Sequence, residues 1–524
     1  MENRRRILKA AGSVGLVTAL SRILGYFRDA SLAWVLGATM GMDAFAVAFR
    51  LANLFRRLVA EGAMSTAFVP VFVQYRNERS EEELWNFARK FFYTLALMTI
   101  AIVLIEIVFA PQIVRLMAPG FGAVAGKLEL TIFLTRLMAP YLVFVSLTAV
   151  LAGVLNALGF FAVPALNPVF YNISIIIAAT GVAPLSKQPV TIIALAVLVG
   201  GILQLVAQFP LAVKQGMRFH FSFSFTHPAI RKISSLLVPS VFGVGIVQIN
   251  LLVDSLMASL LREGSVSQIY YADRVMELAL GIFVVSLTTV TLPEMSMLAA
   301  QKKIVELKET ILFSFRAIAF VSIPATVGLF LLADPIIHVL FERGLFTSLD
   351  TERTAVALAY YALGLFFISA SKIIVSAFYA VQDTKTPVKA AFVSLVVNIV
   401  LNWVLMHPLK QGGIALATSI ASAVSLVQLV FIFQKKYGSF YWDQFFKSIV
   451  KVTISSAVMG IACLVLLRVF DFNPTQPLRW KAALLFGTIG VGIIVYLVLG
   501  LIVRTEEGLL LSRLFRKKSG KPAE

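Results

Sequence analysis

The chain has 524 residues, of which 59% are hydrophobic and only 14% are charged, and its mean hydropathy of +0.88 excludes an ordinary soluble globular protein. A single cysteine, Cys463, excludes an intramolecular disulfide, and the four histidines show no metal-ligating spacing. The net charge of +19 would suggest nucleic acid in a soluble protein. In this chain we expect the basic residues to sort by membrane side, with no nucleic-acid partner.

Apolar runs long enough to cross a bilayer recur along the whole chain and predict an all-α polytopic membrane protein with 14 transmembrane helices. The predicted spans are 10–36, 43–75, 88–111, 129–155, 162–182, 189–213, 233–261, 267–296, 310–333, 351–381, 387–407, 411–434, 446–469 and 481–503. An even number of spans places both termini on one side. Because Lys and Arg concentrate in the segments on that side, both termini are predicted to be cytoplasmic.

The sequence partly matches itself at an offset of 223 residues. Pro70, near the end of the second span, then falls on Pro293, near the end of the eighth. Pro164 likewise falls on Pro387. A repeat of six spans gives two copies in the same orientation, as in some transporter folds that enclose a central cavity. We therefore predict two six-helix lobes, followed by two additional helices.

Several basic residues fall inside the predicted spans, where cations are expensive unless they are paired or line a hydrated cavity. They are Arg22, Arg28, Arg50, Arg56, Arg57, Arg136, Arg274, Arg316 and Lys372. Such a set is unexpected in a purely structural membrane scaffold.

The first span contains Arg22 and Arg28 near Asp29. At about 100° per residue, Arg22, Gly25 and Asp29 share one helix face, and Gly25 would ease bending. One interpretation is that these arginines pair with Asp29 or Asp43 and pin helices together. The other, which we favour, is a cavity that holds an anionic headgroup, because one local acid cannot neutralise all the nearby cations.

Spans two and eight occupy matching places in the repeat, and both carry arginines. Arg57 can pair with Glu61 at i,i+4, whereas Arg56 has no acid at helical spacing and is the better ligand candidate. Arg274 lies three residues before Glu277, so an ion pair is the alternative to a ligand role there. Arginine suits bidentate binding of phosphate oxygens, and arginines on both lobes would face one cavity.

A second polar group is predicted in the C-terminal half. Its members are Asp254 on span seven, Asn398 and Asn402 on span eleven, and Thr418 on span twelve. One carboxylate with amide and hydroxyl oxygens would suit a hard cation such as Na+. We favour the alternative, a buried hydrogen-bond network between helices.

The motifs together resemble the MurJ (MviN) family of lipid II flippases, in the multidrug/oligosaccharidyl-lipid/polysaccharide exporter superfamily. The residues that carry the resemblance are Ser21-Arg22-x-x-Gly25-x-x-Arg28-Asp29, Asp43-Ala44-Phe45, Asn53-Leu54-x-Arg56-Arg57-x-x-x-Glu61-Gly62, Tyr271-Ala272-Asp273-Arg274, Glu342-Arg343-Gly344 and Asp383-Thr384-Lys385-Thr386-Pro387. The likeness covers essentially the whole chain, including the number of predicted spans.

The resemblance implies translocation of the undecaprenyl-diphosphate-linked peptidoglycan precursor across the bacterial cytoplasmic (inner) membrane, from the cytoplasmic to the periplasmic leaflet. It implies a non-enzymatic monomer surrounded by membrane lipids, with lobes at 1–215 and 216–440 and a lipid-tail groove and basic tail at 441–524. Its substrate-binding residues would be Arg22, Arg28, Asp29, Arg56 and Arg274, supported by Ser21, Gly25, Asp43 and Glu61. The resemblance also implies Na+ as a coupling ion in some members, and here Asn402 stands where a second acid would help to bind it.

Three other functions are weighed against this one. A cation or drug exporter of the same superfamily would be expected to line its cavity with acids rather than arginines. A flippase for another polyprenyl-diphosphate-linked oligosaccharide is disfavoured only by the motif set. A polytopic enzyme acting on lipid-linked sugars would need a cluster of acids or histidine on large loops, and these loops are short.

Overall fold

The computed structural model describes residues 2–56, 67–281, 283–473 and 476–509, and within these ranges it is helical and has no β-strand. The α-helices are α1 Glu2–Leu36, α2 Met40–Phe55, α3 Val69–Glu78, α4 Glu81–Met117, α5 Lys127–Met138, α6 Tyr141–Ala157, α7 Ala162–Ala165, α8 Asn167–Ile177, α9 Pro189–Val206, α10 Phe209–Lys214, α11 Pro228–Ser259, α12 Ser265–Gly281, α13 Phe283–Ala300, α14 Ile304–Leu331, α15 Ala333–Phe341, α16 Ser348–Leu363, α17 Leu365–Ala380, α18 Lys385–Leu409, α19 Gln411–Tyr437, α20 Trp442–Val469 and α21 Leu478–Ile502. Short 3₁₀ turns at Pro119–Ala123 and Ala183–Leu185 and a π-turn at Ala178–Val182 complete the helical structure of these ranges.

The prediction of an all-α membrane protein is confirmed. Among the described residues, nine helical segments are long and apolar enough to cross a membrane, and ten if a bent pair counts as one span. The observed Lys127–Ala157 and Pro189–Lys214 extend the predicted spans 129–155 and 189–213 by only a few residues. The number of 14 spans stays a prediction.

Several predicted spans are interrupted. Span 351–381 consists of α16 and α17, which are bent by 42° at Gly364. Span 129–155 is divided between α5 and α6, and span 162–182 contains α7 and α8. Continuous hydropathy cannot reveal such breaks, because a bend changes the direction of a helix and leaves its composition unchanged.

The first of two compact units contains Met1–Ser267 together with Arg343–Phe346. Within it, α1 lies against α8, α2 against α5, and α9 against both α6 and α8. A buried aromatic cluster includes Phe68 and Phe91, whose ring centroids are 4.9 Å apart, and Phe87. Because lipid tails are as apolar as these rings, the cluster stabilises the unit through van der Waals packing.

The second compact unit contains Gln268–Glu342 and Thr347–Glu524. Its principal contacts join α18 to α19, α14 to α20, and α20 to α21. Close approach depends on small residues, as is usual between membrane helices. A Cβ on Gly460 of α20 would lie 2.7 Å from Leu331 Cδ1 of α14. The predicted lobes at 1–215 and 216–440 rest on the sequence repeat and stay a prediction.

The tetrapeptide Arg343–Phe346 belongs to the first unit although the residues on either side of it do not. The Leu345 N–H donates to the Trp34 carbonyl at 3.0 Å. Gly344 has φ +61°, and a Cβ there would lie 2.2 Å from the same carbonyl oxygen. The glycine of the predicted Glu342-Arg343-Gly344 motif is therefore required by both its backbone conformation and its close contact.

Asp383 lies in the connection before α18, and its pKa makes the stability of the protein depend on pH. Burial alone would raise the pKa of Asp383, but hydrogen bonds from Lys436 and Thr386 outweigh it and lower the pKa to about 2. A lowered carboxyl pKa gives stability that is complete above about pH 4 and is lost as the pH falls toward 2.

We therefore expect Asp383→Asn to lower the free energy of unfolding by about 1–2 kcal/mol near pH 7, with the difference from wild type disappearing near pH 2. Thermal unfolding in detergent across this pH range measures the effect. Asp471→Asn, at an exposed loop position, is the matched control and should follow the wild type throughout. A constant difference between Asp383→Asn and wild type at every pH would contradict the assignment.

Candidate functional site

Arg28 is held at the centre of a polar cluster between α1 and α8. Its Nε and Nη2 donate to the two carboxylate oxygens of Asp29, each at 2.9 Å, and its Nη1 donates to Asn172 Oδ1 at 3.1 Å. The guanidinium carbon also lies 5.9 Å from the centroid of the Tyr171 ring. The Asn172 amide donates in turn to the Ser21 carbonyl at 3.1 Å. These contacts fix the plane of the guanidinium.

The pairing of Arg28 with Asp29 is the contact named by the first of the two sequence interpretations, in which the arginines pair with a nearby acid. The Arg28 side chain is 15% exposed, so it is neither sealed in the interior nor fully solvated. Arg22, also half-buried, lies on the same helix. Helix α1 carries two arginines and one aspartate in this region. The arrangement can attract an anion while Asp29 holds Arg28 in place.

The two small residues of this motif have limited roles in the structure. Ser21 contributes its backbone carbonyl to Asn172, and its side chain is half-buried. Helix α1 runs unbroken through Gly25. A Cβ on Gly25 would lie 3.8 Å from Asn172 Nδ2, which is an ordinary contact. The idea that Gly25 eases bending stays a prediction.

Arg56 stands at the C-terminal end of α2. Its Nε donates to Asn53 Oδ1 at 2.7 Å, so an amide one turn earlier takes the place of the missing acid. Glu61 and Arg57, the predicted neighbouring pair, lie outside the described residues. The ligand role of Arg56 stays a prediction.

Asp43 is fully buried within the first unit, with 1% of its side chain exposed, and it connects several elements through hydrogen bonds. Its carboxylate accepts from Lys127 Nζ at 2.7 Å and from the Gly264 and Ser267 backbone N–H groups at 2.8 Å each. The Ser267 hydroxyl donates to it as well, at 2.5 Å. This geometry makes Asp43 a supporting residue that joins α2 to α5 and to the start of α12.

Other cations at span depth also hold the chain together. Arg50 Nη1 donates to the Leu251 carbonyl at 2.7 Å and to the Ser255 hydroxyl, which ties α2 to α11. In the second unit, Arg316 Nη1 lies 2.7 Å from Glu506 Oε2. Sequence reasoning grouped these arginines with the others, because a pattern of charges does not show where distant acids or carbonyls lie.

Arg274 lies on α12 in the second unit. Its Nη1 contacts Glu277 Oε2 at 2.5 Å, and Asp273 Oδ2 lies 3.8 Å from Nη2. The guanidinium carbon is 5.1 Å from the Tyr270 ring centroid. The i,i+3 ion pair named as an alternative is therefore present. Because 26% of the side chain is exposed, the pair leaves part of the guanidinium accessible.

The polar group predicted as a cation site forms a hydrogen-bond chain in the second unit. Asn402 Nδ2 donates to Asn398 Oδ1 at 2.9 Å, and Asn398 Nδ2 donates to Thr418 Oγ1 at 3.2 Å. Of the oxygens that a sodium ion would need, Asn398 Oδ1 and Thr418 Oγ1 already accept hydrogen bonds. Asp254, the predicted carboxylate, is buried in the first unit. The three residues fit the helix–helix network better than they fit a sodium site.

An apolar trough runs along α14, α20 and α21 in the second unit. Its volume is about 580 Å³, and its lining includes Pro324, Gly328, Met459, Gly492 and Tyr496. The additional helices predicted at 441–524 supply one wall of it. Hydrocarbon chains are the natural occupants of such a surface at membrane depth.

The fold defines the class of the protein. The structure resembles an inward-facing multidrug resistance MATE family transporter of the MOP superfamily, with a TM-score of 0.70 at 16% identity, over 80% of this chain and 98% of that one. The chain therefore has the fold of a transporter of this superfamily.

The family follows from closer matches. Residues 32–478 match the family described as lipid II flippase MurJ. A probable lipid II flippase MurJ of Vibrio cholerae is 34% identical over 95% of this chain and 96% of its own length. A lipid II flippase MurJ of Burkholderia cenocepacia is 34% identical over 85% of this chain and 87% of its own. The chain belongs to the MurJ family.

A solved structure agrees with this assignment. The lipid II flippase MurJ in an inward closed conformation has a TM-score of 0.78 and 30% identity, and the match covers 94% of this chain and 98% of that chain. The predicted family and superfamily are thus confirmed.

Proposed function

We propose that this chain translocates lipid II, the undecaprenyl-diphosphate-linked peptidoglycan precursor, from the cytoplasmic to the periplasmic leaflet of the bacterial inner membrane. The support is membership of the MurJ family together with one geometric observation. That observation is the Arg28 guanidinium at span depth, whose plane is fixed by Asp29 and Asn172. A fork held in this way suits bidentate contact with diphosphate oxygens.

The proposed mechanism is alternating access. The headgroup enters a cavity open to the cytoplasm, where Arg22, Arg28, Arg56 and Arg274 bind the diphosphate. The polyprenyl tail stays in lipid and in the apolar trough along α14, α20 and α21. Rocking of the two predicted lobes then opens the cavity to the other side. The protein makes and breaks no covalent bond in this cycle, works as a monomer and has cytoplasmic termini.

The driving force is the membrane potential or an ion gradient. We propose Na+ as the candidate coupling ion, with Asp254, Asn398, Asn402 and Thr418 as its candidate ligands. Hydrogen bonds already accepted by Asn398 Oδ1 and Thr418 Oγ1 disfavour tight binding, because each of these oxygens has fewer lone pairs left for the ion. The stronger candidate for the driving force is therefore the membrane potential, which would move the arginines proposed to bind the diphosphate.

Reconstitution tests the function directly. Purified protein in vesicles that contain lipid II should expose the lipid to an enzyme or reagent added outside, at a rate well above that of protein-free vesicles. The assay is repeated with and without Na+ and with and without a potassium-diffusion potential. We expect the potential to accelerate exposure and Na+ to have a small effect.

The same assay separates the alternatives. A protein that exposes a different polyprenyl-diphosphate oligosaccharide but leaves lipid II inside would be a flippase for that other substrate. Transport of an organic cation without any effect on lipid II would favour the exporter function.

A further inference from the structure

The connector between α10 and α11 is an extended segment with phenylalanine at every second position. Phe219 is half-buried, and its ring centroid lies 5.4 Å from that of Phe92. The next three, Phe221, Phe223 and Phe225, are 66%, 46% and 56% exposed. Their ring centroids follow one another at 5.6 Å and 5.9 Å. We call Phe221, Phe223 and Phe225 the phenylalanine strip.

The residues between these phenylalanines turn the other way. Ser222 and Ser224 are less exposed than the rings on either side of them. The Ser224 N–H donates to the Thr94 hydroxyl oxygen at 3.1 Å, and that hydroxyl lies 3.3 Å from the Ser224 carbonyl oxygen. Side chains alternate between two faces in an extended chain, and a water-facing segment shows its polar residues outward. This segment has the opposite pattern, so its outer face suits an apolar environment.

The contact with Thr94 indicates the depth of the segment along α4. That helix begins with Glu81, Glu82 and Glu83 and stays charged up to Lys90, after which it becomes apolar. Thr94 is one turn beyond this change. The strip therefore lies at the level where charged residues give way to hydrocarbon-facing ones.

Backbone chemistry places a limit on this depth. An extended segment outside a sheet cannot satisfy its own N–H and C=O groups, which excludes it from the hydrocarbon core next to lipid. At the interface, water and headgroups can satisfy them while aromatic rings reach the upper part of the acyl chains. The alternation and the depth thus agree on an interfacial position.

Charge indicates which lipids would surround the strip. The sequence contains no Asp or Glu between Glu129 and Asp254, but Glu81 of α4 approaches this connector, since its Oε1 would lie 3.5 Å from a Cβ on Gly216. Arg89 of the same helix also approaches it, with Nη1 3.2 Å from His220 Nδ1, so basic groups accompany this acid. Within the acid-free interval, Lys214 and Arg218 lie just before the strip, and both are exposed. Basic residues next to a membrane surface attract anionic headgroups.

We propose that residues 219–225 form a binding site for anionic phospholipid, with the phenylalanine strip inserted at the membrane interface and Lys214 and Arg218 contacting headgroups. The site would fix the start of α11 relative to the bilayer. That the leaflet is the cytoplasmic one rests on the orientation proposed above. The binding of phospholipid itself does not depend on lipid II.

Depth measurement by spin labelling tests the proposal without any translocation assay. Cys463 is replaced by serine, and single nitroxides are attached at Phe223→Cys and, as a water-exposed control, at Asn77→Cys. Both proteins are reconstituted into vesicles that contain phosphatidylglycerol. At position 223 we expect several-fold more collision with oxygen than with a water-soluble nickel complex, and the reverse ratio at position 77. Equal access of the nickel complex to both labels would overturn the proposal. A strip covered by a protein partner instead of lipid would overturn it as well.

The lipid preference has its own test. The label at Phe223→Cys should be more protected from nickel in phosphatidylglycerol vesicles than in pure phosphatidylcholine. Combining Lys214→Gln and Arg218→Gln should remove that difference. Identical protection in both lipids would overturn the anionic part of the proposal. Because neither measurement uses lipid II, failure here leaves the proposed flippase function to be judged by its own assay.

Discussion

We expect Arg28→Ala to reduce the exposure of lipid II in reconstituted vesicles at least about a hundredfold, because loss of the proposed bidentate charged contact with a phosphate is worth about 3 kcal/mol or more. The measured quantity is the initial rate at which lipid II becomes accessible outside the vesicle, per molecule of correctly inserted protein. Arg28→Lys keeps the positive charge but loses the planar fork. We expect it to retain a small, measurable rate.

Removal of Arg28 also leaves Asp29 buried without its principal partner, which could destabilise the protein. The variant Arg28→Ala/Asp29→Asn addresses this point, since it removes both charges together. Its thermal stability should be close to that of the wild type while translocation stays lost. Arg136→Ala is a matched control, because this exposed arginine donates to the Ile107 carbonyl away from the cluster. Full activity of Arg28→Ala would refute the substrate-binding role.

The helical architecture could largely be predicted from the sequence. Hydropathy identifies segments such as Gln411–Tyr437, because lipid imposes an apolar composition over a length fixed by the bilayer. It predicts the ends less well: α4 starts at Glu81, seven residues before the predicted span at 88, because its charged first turns continue the helix into water. Ser80, which accepts from the Glu83 N–H at 3.3 Å, caps that start.

The partners of the charged residues could not be predicted in the same way. The Arg28–Asp29 pair joins neighbours in sequence and was foreseen as one of two interpretations. Asn172, which completes the cluster, is 144 positions away from Arg28 and looked like an ordinary polar residue in a span. Lys127, which precedes the predicted span 129–155, is buried against Asp43. Long-range pairs depend on helix packing, which one sequence does not reveal.

The Asp43–Lys127 pair is expected to make the largest single electrostatic contribution to the stability of the first unit. Only 1% of Asp43 and 3% of Lys127 are exposed, so removing either partner leaves a buried charge without its counter-ion. Such changes cost about 3–5 kcal/mol. Asp43→Asn or Lys127→Met should therefore lower the thermal unfolding midpoint in detergent by on the order of 10 °C.

A double-mutant cycle distinguishes the pair from general damage to the fold. Replacing both residues, as Asp43→Asn/Lys127→Met, should cost less than the sum of the two single changes, because neither charge is then left alone. The Asn side chain can still accept from the Gly264 N–H, whose distance to Asp43 is 2.8 Å. Asp443→Asn in the first turn of α20, in the second unit, serves as the control for removal of a carboxylate. Strictly additive losses in the cycle would mean that Asp43 stabilises the unit through its contacts with Gly264 and Ser267 and that Lys127 contributes independently.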